Sequence, residues 1–305
     1  MAKPYTPLLE RYGERVKLNE PLARYTVARL GGPADALITV DSQTMLNEVA
    51  QLAWEYAWPT RIIGGGANVL FSDLGFRGLI VVNHAKQINV DAGGSVTAES
   101  GAVLTHIARQ TIEKGLSGFE WAVSVPGTLG GAIVNNAGAH GGDIANCLVS
   151  AEIAFPQHAE TWPLVNFDYH YRESALKRRA DSFVVLSGRL QLAPGHDPAI
   201  LQAQADEWSA HRKRTQPPGA SLGSMFKNPP GDYAGRLMEA AGLKGTQVGG
   251  VMISPVHANF FVNTGSGTAS DYLGLIRRAR DAVQTAFGID LDLEIELIGE
   301  GIENI

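Results

Sequence analysis

Between Ser124 and Ala139 the chain reads Ser-Val-Pro-Gly-Thr-Leu-Gly-Gly-Ala-Ile-Val-Asn-Asn-Ala-Gly-Ala. This run is dense in small residues. It belongs where the main chain must come close to something else. Two partners fit. A flat ring or a phosphate chain would use the small residues for access, and Ser124, Thr128 and Asn135 for hydrogen bonds. A tight helix–sheet packing point would use the glycines alone. The ligand reading rests on Ser124, Pro126, Gly127, Thr128, Gly130, Gly131, Asn135, Gly138 and Ala139.

A second glycine cluster, Gly64-Gly65-Gly66-Ala67-Asn68-Val69-Leu70, follows a strand-like run. It is not a dinucleotide fingerprint, because Val69 stands where the last glycine of G-x-G-x-x-G belongs and a strand follows. It is not a P-loop either, since no Gly-Lys-Ser/Thr follows. What remains is a loop of main-chain N–H groups with Asn68, suited to a pyrophosphate, or else a tight structural turn.

Downstream, Ser221-Leu222-Gly223-Ser224-Met225-Phe226-Lys227-Asn228-Pro229-Pro230 reads as a Gly/Pro-bounded turn. No G-x-S-x-G elbow surrounds Ser224, so nucleophilic catalysis is not indicated. A proton donor needs only position and a neighbouring charge, which Lys227 can supply; a turn serine is the plainer alternative. Arg172, in Tyr169-His170-Tyr171-Arg172-Glu173-Ser174, can fork onto a carboxylate or make a surface ion pair. Glu294 and Glu296 alternate in a terminal β-run, giving it one acidic face, catalytic or merely solvated. The same alternation over residues 257–263 puts His257, Asn259, Phe261 and Asn263 together, on a polar pocket or on a wet sheet face.

The rest of the chain reads as mixed α+β. Strands are expected at 36–40, 61–63, 78–83, 151–155, 183–192 and 291–298. One helix follows a cap at Asp41 or Ser42, with Leu46, Val49, Ala53 and Tyr56 inward. Others span 103–114 (ended by Gly115), 200–214, 233–241, and 272–287, the last capped by Ser270 and stopped by Gly288. At 305 residues the chain exceeds one core, and three parts are expected: 1–83, 84–193 and 194–305. Lys plus Arg is 25 against 31 Asp plus Glu, a net charge of -6 that argues against nucleic acid. The basic runs at 177–179 and 211–214, the latter ending in Arg214, are solvated surface or a local anion site. Cys147 is the only cysteine, so no internal disulfide and no cysteine metal site can form, and no metal is expected. With no signal-like N-terminus and no bilayer-length apolar run, a soluble cytoplasmic protein is expected.

In order and spacing, several segments resemble the UDP-N-acetylenolpyruvoylglucosamine reductases, flavoenzymes that make UDP-N-acetylmuramate for bacterial peptidoglycan. They are Thr26-Val27-Ala28-Arg29-Leu30-Gly31-Gly32-Pro33-Ala34-Asp35, residues 64–73 and 124–139, Tyr171-Arg172-Glu173-Ser174, Gly223-Ser224-Met225-Phe226-Lys227-Asn228-Pro229 and His257-Ala258-Asn259-Phe260. The resemblance covers nearly the whole chain, Tyr25 to Glu300. It implies a vanillyl-alcohol-oxidase-like FAD-binding fold of two subdomains (1–83 and 84–193), then a substrate domain (194–305) whose last strand may return to the FAD domain. It also implies that NADPH reduces the flavin and leaves. Flavin N5 then gives hydride to C3 of the enolpyruvyl group, Ser224 protonates C2, and Arg172 and Glu294 stabilise the enolate-like charge between these steps. FAD would be held by Gly64, Gly65, Gly66, Ala67, Asn68 and Val69 with Ser124, Pro126, Gly127, Thr128, Gly130, Gly131, Asn135, Gly138 and Ala139. The substrate would be held by Arg214, Lys227, Asn228, His257 and Asn259. The family acid lies in Leu-Glu-x-Glu-Val, five residues before a glycine; Leu291-Asp292-Leu293-Glu294-Ile295 with Gly299 fits, which selects Glu294 over Glu296. Two positions depart from the family: Ala67 stands where serine is common, and Glu296 where a basic residue is. The length matches the shorter family form, and a monomer with no membrane or nucleic-acid partner is expected. The competing readings are another flavin oxidase or dehydrogenase of this fold, and a flavin-binding protein without catalysis.

Overall fold

The computed structural model describes residues 5–302. In chain order the elements are α1 (Thr6–Tyr12), β1 (Val16–Pro21), β2 (Pro33–Val40), α2 (Gln43–Glu55), β3 (Thr60–Ile63), β4 (Val69–Phe71), β5 (Phe76–Asn83), β6 (Ile88–Val90), β7 (Ser95–Glu99) and α3 (Leu104–Glu113). Then come α4 (Leu129–Asn135), β8 (Gly138–Ala139), β9 (Gly142–Asp143), β10 (Leu148–Ala154), β11 (Ala159–Pro163), β12 (Val184–Gln191) and α5 (Pro198–Thr215). The remainder is β13 (Ala220–Ser224), α6 (Ala234–Ala240), β14 (Gln247–Val248), β15 (Val251–Ile253), β16 (Phe260–Asn263), α7 (Ala269–Phe287) and β17 (Glu296–Ile298).

Two compact units result. The first takes the residues up to Lys17, with Ala36–Gly65 and Leu79–His211; the second takes Leu18–Asp35, Gly66–Gly78 and everything from Arg212. Several dividing points fall inside strands β1, β2 and β5, and one falls within the glycine loop, after Gly65.

The first unit has two cores. In one, α2 turns Met45, Leu46, Val49, Ala50 and Ala53 onto Ile38, Leu79 and Val81, with β3 and β5 paired in parallel from Thr60↔Leu79 to Ile63↔Val82. Ser42 caps α2, its Oγ accepting the Met45 N–H at 3.3 Å. Tyr56 is not on the inner face: it is exposed and stacks on Trp58 at 5.2 Å, because the helix has already ended there. The other core lies between α3, α4 and an antiparallel sheet of order β11-β10-β12-β7-β6, and holds Ile107, Phe119, Trp121, Leu129, Ile133, Phe167 and Leu190.

In the second unit an antiparallel sheet, order β13-β16-β15-β14, packs with α6 and α7 around Leu222, Phe226, Phe261, Leu275 and Ile276. Tyr272, fully buried, donates its hydroxyl to the Phe261 carbonyl at 2.8 Å. β17 pairs in parallel with β4, Glu296 opposite Val69.

Several expectations are corrected. The terminal run is a strand only over β17, because the chain changes partners. Leu293 bridges Phe226 and the Glu294 N–H donates to Met225 O, whereas the Glu296 N–H donates to Asn68 O. Glu294 and Glu296 therefore do not share one strand face. The cap of α7 is Thr268, not Ser270: Thr268 and Asp271 form a reciprocal capping box. Residues 257–259 form a turn before β16, closed by the Phe260 N–H on His257 O at 3.0 Å. The serine segment is half strand: Ser224 ends β13 opposite Phe260, after an irregularity that follows from Gly223 at φ +74°. A short helix, α4, stands where none was expected. It begins with Leu129 and Gly130 N–H groups donating to Ala102 O at 2.9 Å and Ser100 O at 2.8 Å.

Candidate active site

The first unit brings the two glycine clusters together at Gly64–Gly65 and Gly127–Thr128. A Cβ on Gly64 would lie 2.2 Å from Thr128 Oγ1, and one on Gly130 would lie 2.9 Å from Ser100 Cβ. Those two glycines are demanded by packing. Gly65 and Gly131 are not: a Cβ on Gly65 would meet only Gly127 Cα at 3.8 Å, and one on Gly131 only Thr128 Oγ1 at 4.0 Å. Gly127 sits at φ +124° with open space where a side chain would be. These three leave a shallow main-chain cradle that side chains would fill.

Four buried polar atoms have no partner among the described residues: Ser124 Oγ and Asn135 Oδ1 in the same segment, and Glu120 Oε1 and Trp121 Nε1 just before it. Buried polar atoms ordinarily have partners, so these are places for a ligand or ordered water. The ring N–H and carbonyls, ribityl hydroxyls and diphosphate of FAD match both the orphaned atoms and the cradle, so these residues fit that group. Glu120 and Trp121 were not foreseen; nothing in their local sequence distinguishes them from core residues.

Arg172 lies on a two-residue hairpin closed by reciprocal bonds between His170 and Glu173, at 3.1 and 3.2 Å. Its backbone is left-handed, φ +57°, a rare state for arginine. Its guanidinium donates to Gly138 O at 3.1 Å and lies 5.5 Å from the Tyr171 ring centroid. Tyr169 donates to Ile133 O at 2.8 Å; burial, with Cys147 and Asp143 nearby, pushes its phenol up. Burial likewise pushes the Cys147 thiol up to about 12.

In the second unit Ser224 and Glu294 are joined through one residue, since Glu294 N–H donates to Met225 O at 2.9 Å. Asn68, expected at the cofactor, donates its amide to Glu294 O at 3.1 Å. Gly66, at φ +60°, would push a Cβ to 2.1 Å from Tyr25 O, so its glycine is structural; Ala67 and Val69 flank Asn68 at the entry to β4. Asn259 is 3% exposed and both ends of its amide pair with the Phe226 main chain, at 2.9 and 2.8 Å. It clamps the serine segment. Asn228 Oδ1 accepts the Ala234 N–H at 3.1 Å, at the start of α6. The Lys227 main chain donates to Asp292 O at 2.8 Å. His257 is half-buried, and its Nδ1 accepts the Asn259 N–H at 3.2 Å. Burial first, then the Lys244 ammonium, holds its pKa below the ordinary histidine value. Arg214 is exposed near the end of α5.

A glycine-lined, FAD-compatible segment on a mixed α+β frame fits one class of protein, a flavin-dependent oxidoreductase. The comparisons agree. Residues 34–158 match an FAD binding domain, and residues 215–298 match the C-terminal domain of UDP-N-acetylenolpyruvoylglucosamine reductase. The reductase of Chloroflexus aggregans is 43% identical over 92% of this chain and 96% of its own length. That of Bacillus subtilis is 38% identical over 98% and 99%. The crystal structure of the Thermus caldophilus reductase aligns with a TM-score of 0.78 at 33% identity, covering 93% of this chain and 98% of that one. The chain belongs to the UDP-N-acetylenolpyruvoylglucosamine reductase family.

Proposed function

We propose that this protein reduces UDP-N-acetylglucosamine enolpyruvate to UDP-N-acetylmuramate in peptidoglycan synthesis, in the cytoplasm, with NADPH as reductant. The first unit would hold FAD and the second most of the substrate. FAD, when bound, supplies hydride transfer between NADPH and C3 of the enolpyruvyl group. The protein's part is at C2. Ser224 gives C2 its proton, and Arg172 and Glu294 donate hydrogen bonds to the substrate carboxylate, where charge develops. Lys227, Asn228, His257 and Arg214 are assigned to the substrate's polar groups, and Gly65, Gly127, Gly131, Ser124 and Asn135 to FAD.

The observation that carries this reading is the serine segment itself. The Met225 and Phe226 N–H groups are both held by Asn259, and Glu294 is held on Met225 O, so the proposed donor and acid share one rigid support. Anaerobic stopped-flow absorbance tests it. NADPH should bleach the flavin, and the enolpyruvyl substrate should restore it. Ser224→Ala should leave bleaching unchanged and slow restoration about 10²- to 10⁴-fold, the range for a lost general acid. Bleaching without substrate-driven return would refute the substrate; a defect confined to the NADPH step would refute the role of Ser224.

A further inference from the structure

The Arg172 hairpin and the segment that ends α4 form one hydrogen-bonded piece. Tyr169 donates to Ile133 O at 2.8 Å, Ser174 to Val134 O at 2.6 Å and Arg172 to Gly138 O at 3.1 Å. At the centre is Asn136, 6% exposed and left-handed at φ 44°, ψ 58° where α4 stops. Its Nδ2 donates to His170 O at 3.1 Å, and its Oδ1 accepts the Ala145 N–H at 3.0 Å. His170 O is also the carbonyl that closes the hairpin with the Glu173 N–H. A two-residue turn carrying Tyr-Arg has none of the residues that favour left-handed backbone. Something outside the turn must hold Arg172 at φ +57°, and Asn136 reaches its base.

We propose that Asn136 is a positioning residue. It ties the hairpin to the flavin segment, so that FAD seated at Asn135, Gly138 and Ala139 and Arg172 are held in one fixed geometry. This rests on the functional reading above for what Arg172 does, though not for how it is held. Asn is suited to the position because it tolerates left-handed backbone and presents a donor and an acceptor at once.

Two variants separate the bonds from the backbone. Asn136→Gly keeps the left-handed turn and loses both side-chain bonds. Asn136→Asp keeps the acceptor for Ala145 and sets a carboxylate oxygen against His170 O. The FAD-loaded proteins would be digested briefly with trypsin, and the peptide ending at Arg172 quantified by mass spectrometry. Both variants should release it about tenfold faster than the unaltered holoenzyme, the effect of one neutral hydrogen bond. Equal release would overturn the proposal. In stopped flow, NADPH should reduce the Asn136→Gly flavin at the unaltered rate, while the limiting rate of reoxidation by the enolpyruvyl substrate falls about tenfold. The same change in an Arg172→Ala background should cost almost nothing further, because the residue it positions is gone. An equal loss in both backgrounds would overturn the proposal. If the unaltered holoenzyme showed no substrate-driven reoxidation, the functional reading would fail, and the digestion would still decide the role of Asn136.

Discussion

Gly64→Ala tests the packing of the two glycine clusters directly. The new methyl would lie 2.2 Å from Thr128 Oγ1, 2.6 Å from Cγ2 and 3.0 Å from Cβ. Rotating the threonine moves the first two atoms but not the third, so backbone must shift as well. Overpacking of this size costs about 1–3 kcal/mol. For a protein of this length that is a fall in apoprotein Tm of about 2–10 °C. If the two clusters must keep their native spacing to seat FAD, the same energy weakens its Kd about 10- to 100-fold. Circular dichroism melts of the apoprotein and fluorescence titration with FAD would measure both. Thr128→Ala added to Gly64→Ala removes the two nearest atoms, and should restore much of the lost Tm even though it also removes a hydroxyl assigned to FAD. An unchanged Tm in Gly64→Ala would refute the reasoning, as would a fall that Thr128→Ala does not lessen.

Gly131→Ala should do the opposite: it has open space and sits in α4, where alanine is favoured over glycine by about 1 kcal/mol, so apoprotein Tm should rise while FAD affinity falls. Asn259→Ala should cost about 2–4 kcal/mol in a urea titration, because it leaves a buried N–H and C=O of Phe226 unpaired; Asn259→Asp, which sets a buried carboxylate oxygen against Phe226 O, should lose at least as much. His257 makes stability depend on pH. Its folded pKa is depressed, so below the ordinary value of 6.5 the unfolded chain takes up a proton that the native ring refuses. Its contribution is therefore full above that pH and is lost as pH falls towards the folded value. His257→Gln should flatten the acid limb of a Tm–pH curve, and an unchanged limb would rule this out.

Much of the frame was legible because the signals were local. Helix α2 had a cap and a three- and four-residue spacing of apolar side chains; α3 ended at Gly115 and α7 at Gly288, both left-handed. The failures came where partners distant in sequence decide. Glu296 belongs to a strand only because β4 lies beside it, and Glu294 does not because Met225 holds it. Helix α4 opens on Leu-Gly-Gly, a poor helix former, but Ser100 and Ala102 carbonyls take its first N–H groups and Gly130 fits against Ser100. His257 and Asn259 alternate as strand residues would, yet Asn259 serves as a side-chain substitute for main-chain pairing.

The glycines show why residue type alone left the site ambiguous. Sequence offered two reasons for each cluster, close packing or room for a ligand, and both operate at alternate positions. Gly64, Gly66 and Gly130 are fixed by Thr128, Tyr25 and Ser100, so a methyl there must damage folding whether or not a ligand exists. Gly65, Gly127 and Gly131 meet no such neighbour, and packing gives no reason for the missing side chain at Gly65 or Gly131. Three glycines in a row are thus not one motif with one purpose. Their neighbours, which only the fold supplies, separate the scaffold from the site.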